Sequence, residues 1–264
     1  MSFNPSSLDP ASLSPAAIPA ARAAPRRFGH VDTWVFDLDN TLYPHHLDLW
    51  KQVDERIRTY VATFLGMTGE EAFRTQKDYY RRYGTTMRGM MIEHSMDPSG
   101  FLDSVHRIDY SPVLPNPVLD AALKRLEGRK LVLTNGTRAH AEAILSRLAV
   151  AHHFEDVFDI VAGGLEPKPL PETYDRFLVR HGVDARRAAM FEDLARNLEV
   201  PHALGMTTVL VVPERARTVV RESWELEGHD AVHVDHVTDD LAGFLDAIAG
   251  RRAGGGGPQG ATPG

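Results

Sequence analysis

The chain has 264 residues, 43% of them hydrophobic, carries a net charge of −7 and contains no cysteine. That is enough apolar content for one domain with an elaboration, or for two small ones. The charge argues against binding a nucleic-acid polymer or an anionic membrane, and the missing cysteines exclude disulfides, thiolate zinc sites and cysteine nucleophiles.

Residues 1–29 are rich in Ala, Pro and Ser, with Arg22, Arg26 and Arg27. Prolines at 5, 10, 15, 19 and 25 break any apolar stretch a signal peptide would need, so a disordered extension is expected. No run in the chain approaches the ~18 apolar residues of a membrane span, and a cytoplasmic protein is expected.

The first strand signal, Thr33–Asp37, runs into Asp37-Leu38-Asp39-Asn40-Thr41. Residues two apart on a strand face the same side, so Asp37 and Asp39 would share one pocket at the strand's C-terminal end. Two carboxylates ~4 Å apart repel by roughly 4 kcal/mol at an effective dielectric near 20. A cation, a proton or a lysine must offset that repulsion.

Residues 45–112 carry no strand signal and read as an inserted helical cap. Leu49, Val53, Ile57, Tyr60 and Phe64 form one helical stripe. Thr68 and Glu71 make a capping box for a helix carrying Phe73, Tyr80 and Tyr83. Further helices are expected over Thr86–His94 and Ser99–Ile108. Placed directly after the acidic strand, such an insert would hang over its C-terminal end as a lid.

Strand signals then recur at Lys130–Thr134, Val157–Ala162, Ala188–Glu192, Thr207–Val212 and, more weakly, Ala231–Val234. Helical patterns at Pro117–Leu126, Arg138–Leu148 and Pro171–His181 separate them. The alternation predicts an α/β core of residues 30–44 and 113–248 built on a doubly wound parallel sheet. Residues 249–264 are expected to be a flexible Gly-rich tail.

Four strand-end segments would collect on one sheet edge. The first brings Asp37, Asp39 and Thr41, and the second Thr134-Asn135-Gly136, an anion cradle of hydroxyl, amide and freed backbone N–H groups. The third brings Lys168 between two prolines; the fourth brings Glu192, Asp193 and Asn197. Singly each is a common turn or surface pattern. Together, oxygen-only ligands and an anion cradle suggest Mg²⁺ with a phosphate. His45-His46 invites a metal reading, but a polar pair on the hinge side, next to Tyr43, fits better because oxygen ligands already suffice.

In these segments the chain resembles the haloacid dehalogenase superfamily, with all four of its motifs matched at Asp37–Thr41, Thr134, Lys168 and Glu192-Asp193 with Asn197. Within it the chain is most similar to the pyrimidine 5′-nucleotidase branch, through DLDNTLYP (37–44), YGTTMRGM (83–90), Glu93-His94, VHRIDY (105–110), TNGTRAHAE (134–142) and FEDLARNLEVPHALGM (191–206). The resemblance implies a Rossmann-like core and a Mg²⁺-dependent phosphomonoesterase. It implies an ionised Asp37 as nucleophile, forming an aspartyl-phosphate, and Asp39 carrying a proton as general acid and then base. Mg²⁺ would rest on Asp37, the Asp39 carbonyl and Asp193, assisted by Glu192; Thr134, Asn135, Gly136 and Lys168 would hold the phosphate.

The implied substrate is a small phosphorylated metabolite, a pyrimidine nucleotide such as UMP or CMP, with Tyr83, Arg88, Glu93, His94 and His106 as cap contacts and Thr86 a further candidate. The alternatives are a phosphatase of a sugar phosphate or phosphoglycolate, or a phosphomutase. From a different class comes a phospho-acceptor signalling domain, which needs no lid. Carbon–halogen cleavage is disfavoured, because it has no alkoxide to protonate and would leave Asp39, Glu192 and Asp193 idle.

Overall fold

The computed structural model describes residues 24–214 and 227–254. The tail from 255 and residues 1–23 lie outside the described residues. Six parallel strands form one sheet in the order β3-β2-β1-β4-β5-β6. They are β1 (Thr33–Phe36), β2 (Arg129–Leu133), β3 (Asp156–Phe158), β4 (Ala188–Glu192), β5 (Thr207–Val211) and β6 (His236–Thr238).

Side-chain alternation sorts the strands' residues onto two faces. Trp34, Phe36, Val132, Phe191 and Val209 meet α5 (Pro117–Arg125), α6 (Arg138–Arg147) and α9 (Leu241–Gly254) in one core. Val35, Leu131, Leu133, Met190 and Leu210 meet α7 (Pro171–His181) and the segment through α8 (Glu199–Leu204) in the other. The Phe36 and Phe191 rings stack with centroids 4.7 Å apart, tying β1 to β4. Burying each such side chain stabilises by roughly 1.5–3 kcal/mol.

Strand order reverses at β1, whose neighbours are β2 and β4. Ligands of open α/β sheets bind outside the strand C-termini at such a switch point. Asp37 follows β1 and Asp193 follows β4 there, and Asp37 N–H donates to Phe191 O at 2.8 Å.

Between β1 and α5 lie α1 (Leu49–Leu65), α2 (Gly69–Tyr83), α3 (Thr86–His94) and α4 (Pro98–Val105). The capping box at Thr68 and Glu71 is formed. The buried stripes differ from those expected. On α1, Val61 is buried beside Leu49, Val53 and Ile57, while Phe64 is 45% exposed. On α2 the inward face is Ala72, Gln76 and Tyr79, and Phe73 is 38% exposed. The cause is the close approach of α2 to α3: a Cβ added at Gly89 would lie 2.5 Å from Tyr79 Cβ.

Three further expectations shift. The last strand is His236–Thr238, not Ala231–Val234: Asp235 accepts from Thr208 N–H at 3.0 Å, and pairing with β5 begins only beyond it. Within the expected extension, Arg26 N–H donates to Asp235 at 3.1 Å and Phe28 packs on Trp34, so this part docks on the core. Helix α9 continues past residue 249. Among the described residues no helix is long and apolar enough to cross a membrane.

Candidate active site

Asp37 is buried, and both its oxygens are engaged. Lys168 Nζ lies 2.6 Å from Oδ1, and Thr41 Oγ1 donates to Oδ2 at 3.1 Å. The turn beyond it passes through Asn40 at φ 60°, a left-handed conformation that asparagine tolerates. Lys168 also donates to Leu133 O at 3.0 Å and to Glu192 Oε2 at 3.3 Å, bridging β1, β2 and β4. Asn197 Nδ2 donates to the other oxygen of Glu192. His45 Nε2 stands 3.8 Å from Asp193 Oδ2, while His46 is exposed.

The Lys168 loop is fixed by Asn135. Asn135 Oδ1 accepts from Lys168 N–H at 2.8 Å, and its Nδ2 donates to Lys168 O at 3.2 Å. The Asn135 side chain is thus committed to aligning the lysine, and the phosphate role expected at this position falls to its backbone. Gly136 N–H donates to Thr134 Oγ1 at 2.9 Å; a Cβ there would meet His140 Cδ2 at 3.1 Å.

The second acid has partners the sequence reading missed. Asp39 Oδ1 accepts from Tyr43 Oη at 2.7 Å and sits 2.8 Å from His140 Nε2. His140 Nδ1 is 2.9 Å from Tyr110 Oη, which donates to His106 O at 2.9 Å. All these bonds are satisfied together when His140 carries both ring protons: Nε2–H to Asp39 and Nδ1–H to Tyr110. The sign in the sequence is faint, a histidine in the first turn of the helix after Thr134-Asn135-Gly136.

Burial, with repulsion from Asp193 and Asp39, pushes the Asp37 carboxyl up to about 6 despite Lys168. Burial and repulsion from Asp37 push Glu192 well up too. For Asp39, burial works upward but is outweighed by attraction and hydrogen bonding from His140, with help from Tyr43, and the net shift is downward. With nothing bound, the expected order of the two acids is therefore reversed. Lys168 is held above the usual lysine range: Asp37 and Glu192 overcome its burial.

Asp37, Glu192 and Asp193 each offer an oxygen within 4.8 Å of the others, and all three are buried. Three acids against one lysine, with oxygen donors throughout, fit a hard divalent cation. Another group meeting the same distance criterion is Asp120, His152 and His153, in which both histidines face Asp120.

A cavity of about 110 Å³ joins Asp37, Asp39, Thr134, Lys168, Glu192 and Asp193 to the inner faces of α1, α2 and α4. Of the expected cap contacts, His106 lines it, as does Thr86. Tyr83 instead donates to Glu93, Arg88 pairs with Glu166 at 3.0 Å, and His94 bonds Tyr79 at 2.7 Å, none of the four lining the cavity. Polar side chains that line it from the cap side also include Asp54, Gln76, Lys77, Tyr80 and Thr85.

A family profile described as haloacid dehalogenase-like hydrolase matches residues 31–205. Phosphate metabolism protein 8 of Saccharomyces cerevisiae is 24% identical over 231 residues, covering 81% of this chain and 69% of that protein. A HAD phosphatase from Thermococcus onnurineus is 17% identical with a TM-score of 0.53, covering 84% of this chain and 100% of that one. An L-2-haloacid dehalogenase from Xanthobacter autotrophicus with chloropropionic acid covalently bound is 17% identical with a TM-score of 0.51, covering 83% and 99%. At these identities both structures speak to the fold alone.

Proposed function

The chain belongs to the haloacid dehalogenase-like hydrolases, and on that premise we propose that it is a Mg²⁺-dependent phosphomonoesterase acting on pyrimidine nucleoside 5′-monophosphates. The observation that carries this reading is the charge balance at the switch point. Asp37, Glu192 and Asp193 converge around a single ammonium group, Lys168. Asp37, Asp193 and Glu192, with the Asp39 carbonyl, would hold the cation, which would supply positive charge to the acids and to the phosphate oxygens.

The residues divide the remaining work. Asp37 attacks phosphorus, forming a carboxyl–phosphorus bond as the bond to the leaving oxygen breaks. That oxygen takes its proton from Asp39. A water then gives a proton back to Asp39 and attacks the aspartyl-phosphate, releasing phosphate and restoring Asp37. A bound phosphate dianion favours the protonated form of Asp39 against the pull of His140 and Tyr43. Lys168 and Thr134 hold the phosphate oxygens in line. Phosphoryl transfer is mostly positioning and charge stabilisation, which this set supplies.

Halide departure needs no proton, so a braced second acid speaks for phosphate chemistry. The name of the yeast relative ties that protein to phosphate metabolism. The pyrimidine preference is supported by the similarity at residues 37–44, 83–90 and 105–110. The test is phosphate release from a panel of nucleotides and sugar phosphates, with Mg²⁺ and with EDTA. Metal-dependent release, fastest on UMP or CMP, is expected. No metal-dependent release from folded protein refutes the enzyme, and equal rates on phosphoglycolate remove the pyrimidine preference only.

A further inference from the structure

A second convergence of side chains lies outside the active-site cavity. Asp120 stands in the first turn of α5, and His152 and His153 are neighbours in the short 3₁₀ turn Ala151–His153 that leads into β3. None of the three lines the cavity over Asp37. His153 Nε2 lies 2.8 Å from Asp120 Oδ1, and His152 Nε2 lies 3.2 Å from the same oxygen. Successive residues of a helical turn ordinarily point their side chains in different directions. Here the two rings have centroids 4.0 Å apart, and both turn the same nitrogen to one carboxylate oxygen.

The backbone on both sides is fixed independently of these contacts. Ala149 takes a left-handed φ of 60°, Val150 N–H donates to Leu145 O at 3.1 Å, and His153 N–H donates to Val150 O at 3.1 Å. Phe154, next in the chain, packs edge-on against Phe36 with centroids 5.8 Å apart. On the other side, Asn116 Oδ1 caps α5 by accepting from Leu119 N–H, and Asn116 N–H donates to Leu148 O at 3.0 Å. The cluster therefore sits on two anchored elements, the preorganisation a ligand site needs.

The chemistry of the donors selects the ligand. Bonds of about 2.0–2.2 Å to a tetrahedral ion place its ligand atoms roughly 3.3 Å apart. The two nitrogen–oxygen separations approach that edge, and all three donor atoms lie within 4.8 Å of one another. Two imidazoles and one carboxylate suit a borderline first-row ion such as Zn²⁺, whereas Mg²⁺ favours oxygen alone. Each ring can keep its proton on Nδ1, which frees the Nε2 lone pair for the metal. Entry is open, since the side chains of His152 and Asp120 are 65% and 36% exposed.

We propose that Asp120, His152 and His153 form a second metal site, taking one Zn²⁺ through Asp120 Oδ1 and the two Nε2 atoms, with water completing the shell. Bound there, the ion ties α5 to the segment in front of β3. The site makes no use of the phosphatase reading and stands whether or not that reading holds.

The experiment titrates Zn²⁺ into the full chain under excess Mg²⁺, which competes for the oxygens of Asp37, Glu192 and Asp193. One Zn²⁺ per chain is expected to bind. Outer-shell changes alone cost metal sites ~10–100-fold in affinity, so loss of a ligand in His152→Gln, His153→Gln or Asp120→Asn should cost about tenfold or more. His152 is exposed, so its variant should fold normally, and Asp37→Asn should leave the affinity unchanged. Cu²⁺, used as a paramagnetic stand-in, should show coupling to two nitrogens by electron paramagnetic resonance, and to one nitrogen in either histidine variant. No Zn²⁺ binding under excess Mg²⁺ overturns the proposal. Affinity that survives His152→Gln, or a Cu²⁺ spectrum without nitrogen coupling, overturns it as well. Zn²⁺ binding indifferent to His153→Gln and Asp120→Asn marks an adventitious ion only. Affinity lost in Asp37→Asn places the ion at the active site, and that outcome also overturns the second site.

Discussion

His140 Nε2 lies 2.8 Å from Oδ1 of Asp39, the same oxygen that Tyr43 Oη reaches at 2.7 Å. The acid proposed to give and take the proton is thus held by two donors on one oxygen, and His140 is held in turn by Tyr110. Removing the histidine frees that carboxylate to rotate and raises its proton affinity. His140→Asn is expected to lower kcat by roughly tenfold to a hundredfold, part of the ~10²–10⁴ that general acid–base catalysis supplies. KM should change little, because the phosphate contacts proposed for Thr134 and Lys168 remain. Steady-state kinetics on the best substrate, with circular dichroism as the folding control, checks this; Tyr110→Phe should show a smaller fall in kcat.

Lys168 contributes as much to the fold as to the site. It is 1% exposed and pairs with Asp37 and Glu192, so its loss leaves two buried carboxylates facing each other. Lys168→Met should cost about 3–5 kcal/mol at pH 7.5, the usual penalty for breaking a buried pair. Both acids already lie above their ordinary range, and without the lysine they rise further. An acid whose folded value is raised loses stability as pH rises above its unfolded value, so the variant's deficit should shrink at pH 5.5. Urea unfolding of both proteins at the two pH values measures it.

The strand-end acids were legible because an apolar run that stops at D-x-D states both the strand and where it ends. The sheet followed from the alternation of short runs and helices. The cap faces were not legible in the same way. On α1, Tyr60 and Phe64 or Val61 each complete a plausible stripe with Leu49, Val53 and Ile57, and only packing against α2 and α4 buries Val61 and leaves Phe64 out. Gln76 carries no local sign of its burial, since a polar residue on a helix is ordinarily solvated. Its burial comes from the α1–α2–α3 contact. The last strand is set by register with Val209–Val211 rather than by its own apolar content.

Gly89 offers a test of that cap packing. An added Cβ would sit 2.5 Å from Tyr79 Cβ, so α2 and α3 must separate to admit it. Gly89→Ala should destabilise by about 1–3 kcal/mol, as overpacked cores do, although alanine is the better helix former. Thermal melts give the loss.

His106 predicts an acid-side weakness of the fold. Burial and the neighbouring His140 lower it from 6.5 to about 3. Between those values the unfolded chain binds a proton that the folded one refuses, so stability falls as pH falls. From pH 7.5 to 5.5 this one group should remove about 1.4 kcal/mol. His106→Gln abolishes that share, and its stability should drop less over the same interval. Denaturant midpoints at both pH values compare the two; parallel losses would contradict the assignment.

Metal binding should show its own pH dependence, with its origin in Asp37. The carboxyl must be ionised to ligate a cation, yet burial and the nearby acids raise it to about 6 in the ligand-free protein. Protons and Mg²⁺ therefore compete for the same oxygen pair, and the apparent affinity should fall steadily below pH 6. At pH 7.5, Mg²⁺ at tenfold over its dissociation constant should stabilise the fold by about 1.4 kcal/mol, and EDTA should reverse it. At pH 5 the same concentration should give little stabilisation. In kinetics, the acid limb of the rate at limiting Mg²⁺ should move to lower pH as the metal is raised, since occupancy keeps Asp37 ionised. Asp37→Asn should show neither the stabilisation nor its pH dependence, because the amide offers the cation one neutral oxygen in place of a charge. A melting temperature that rises equally with Mg²⁺ at pH 5 and 7.5 would place the cation elsewhere than on Asp37.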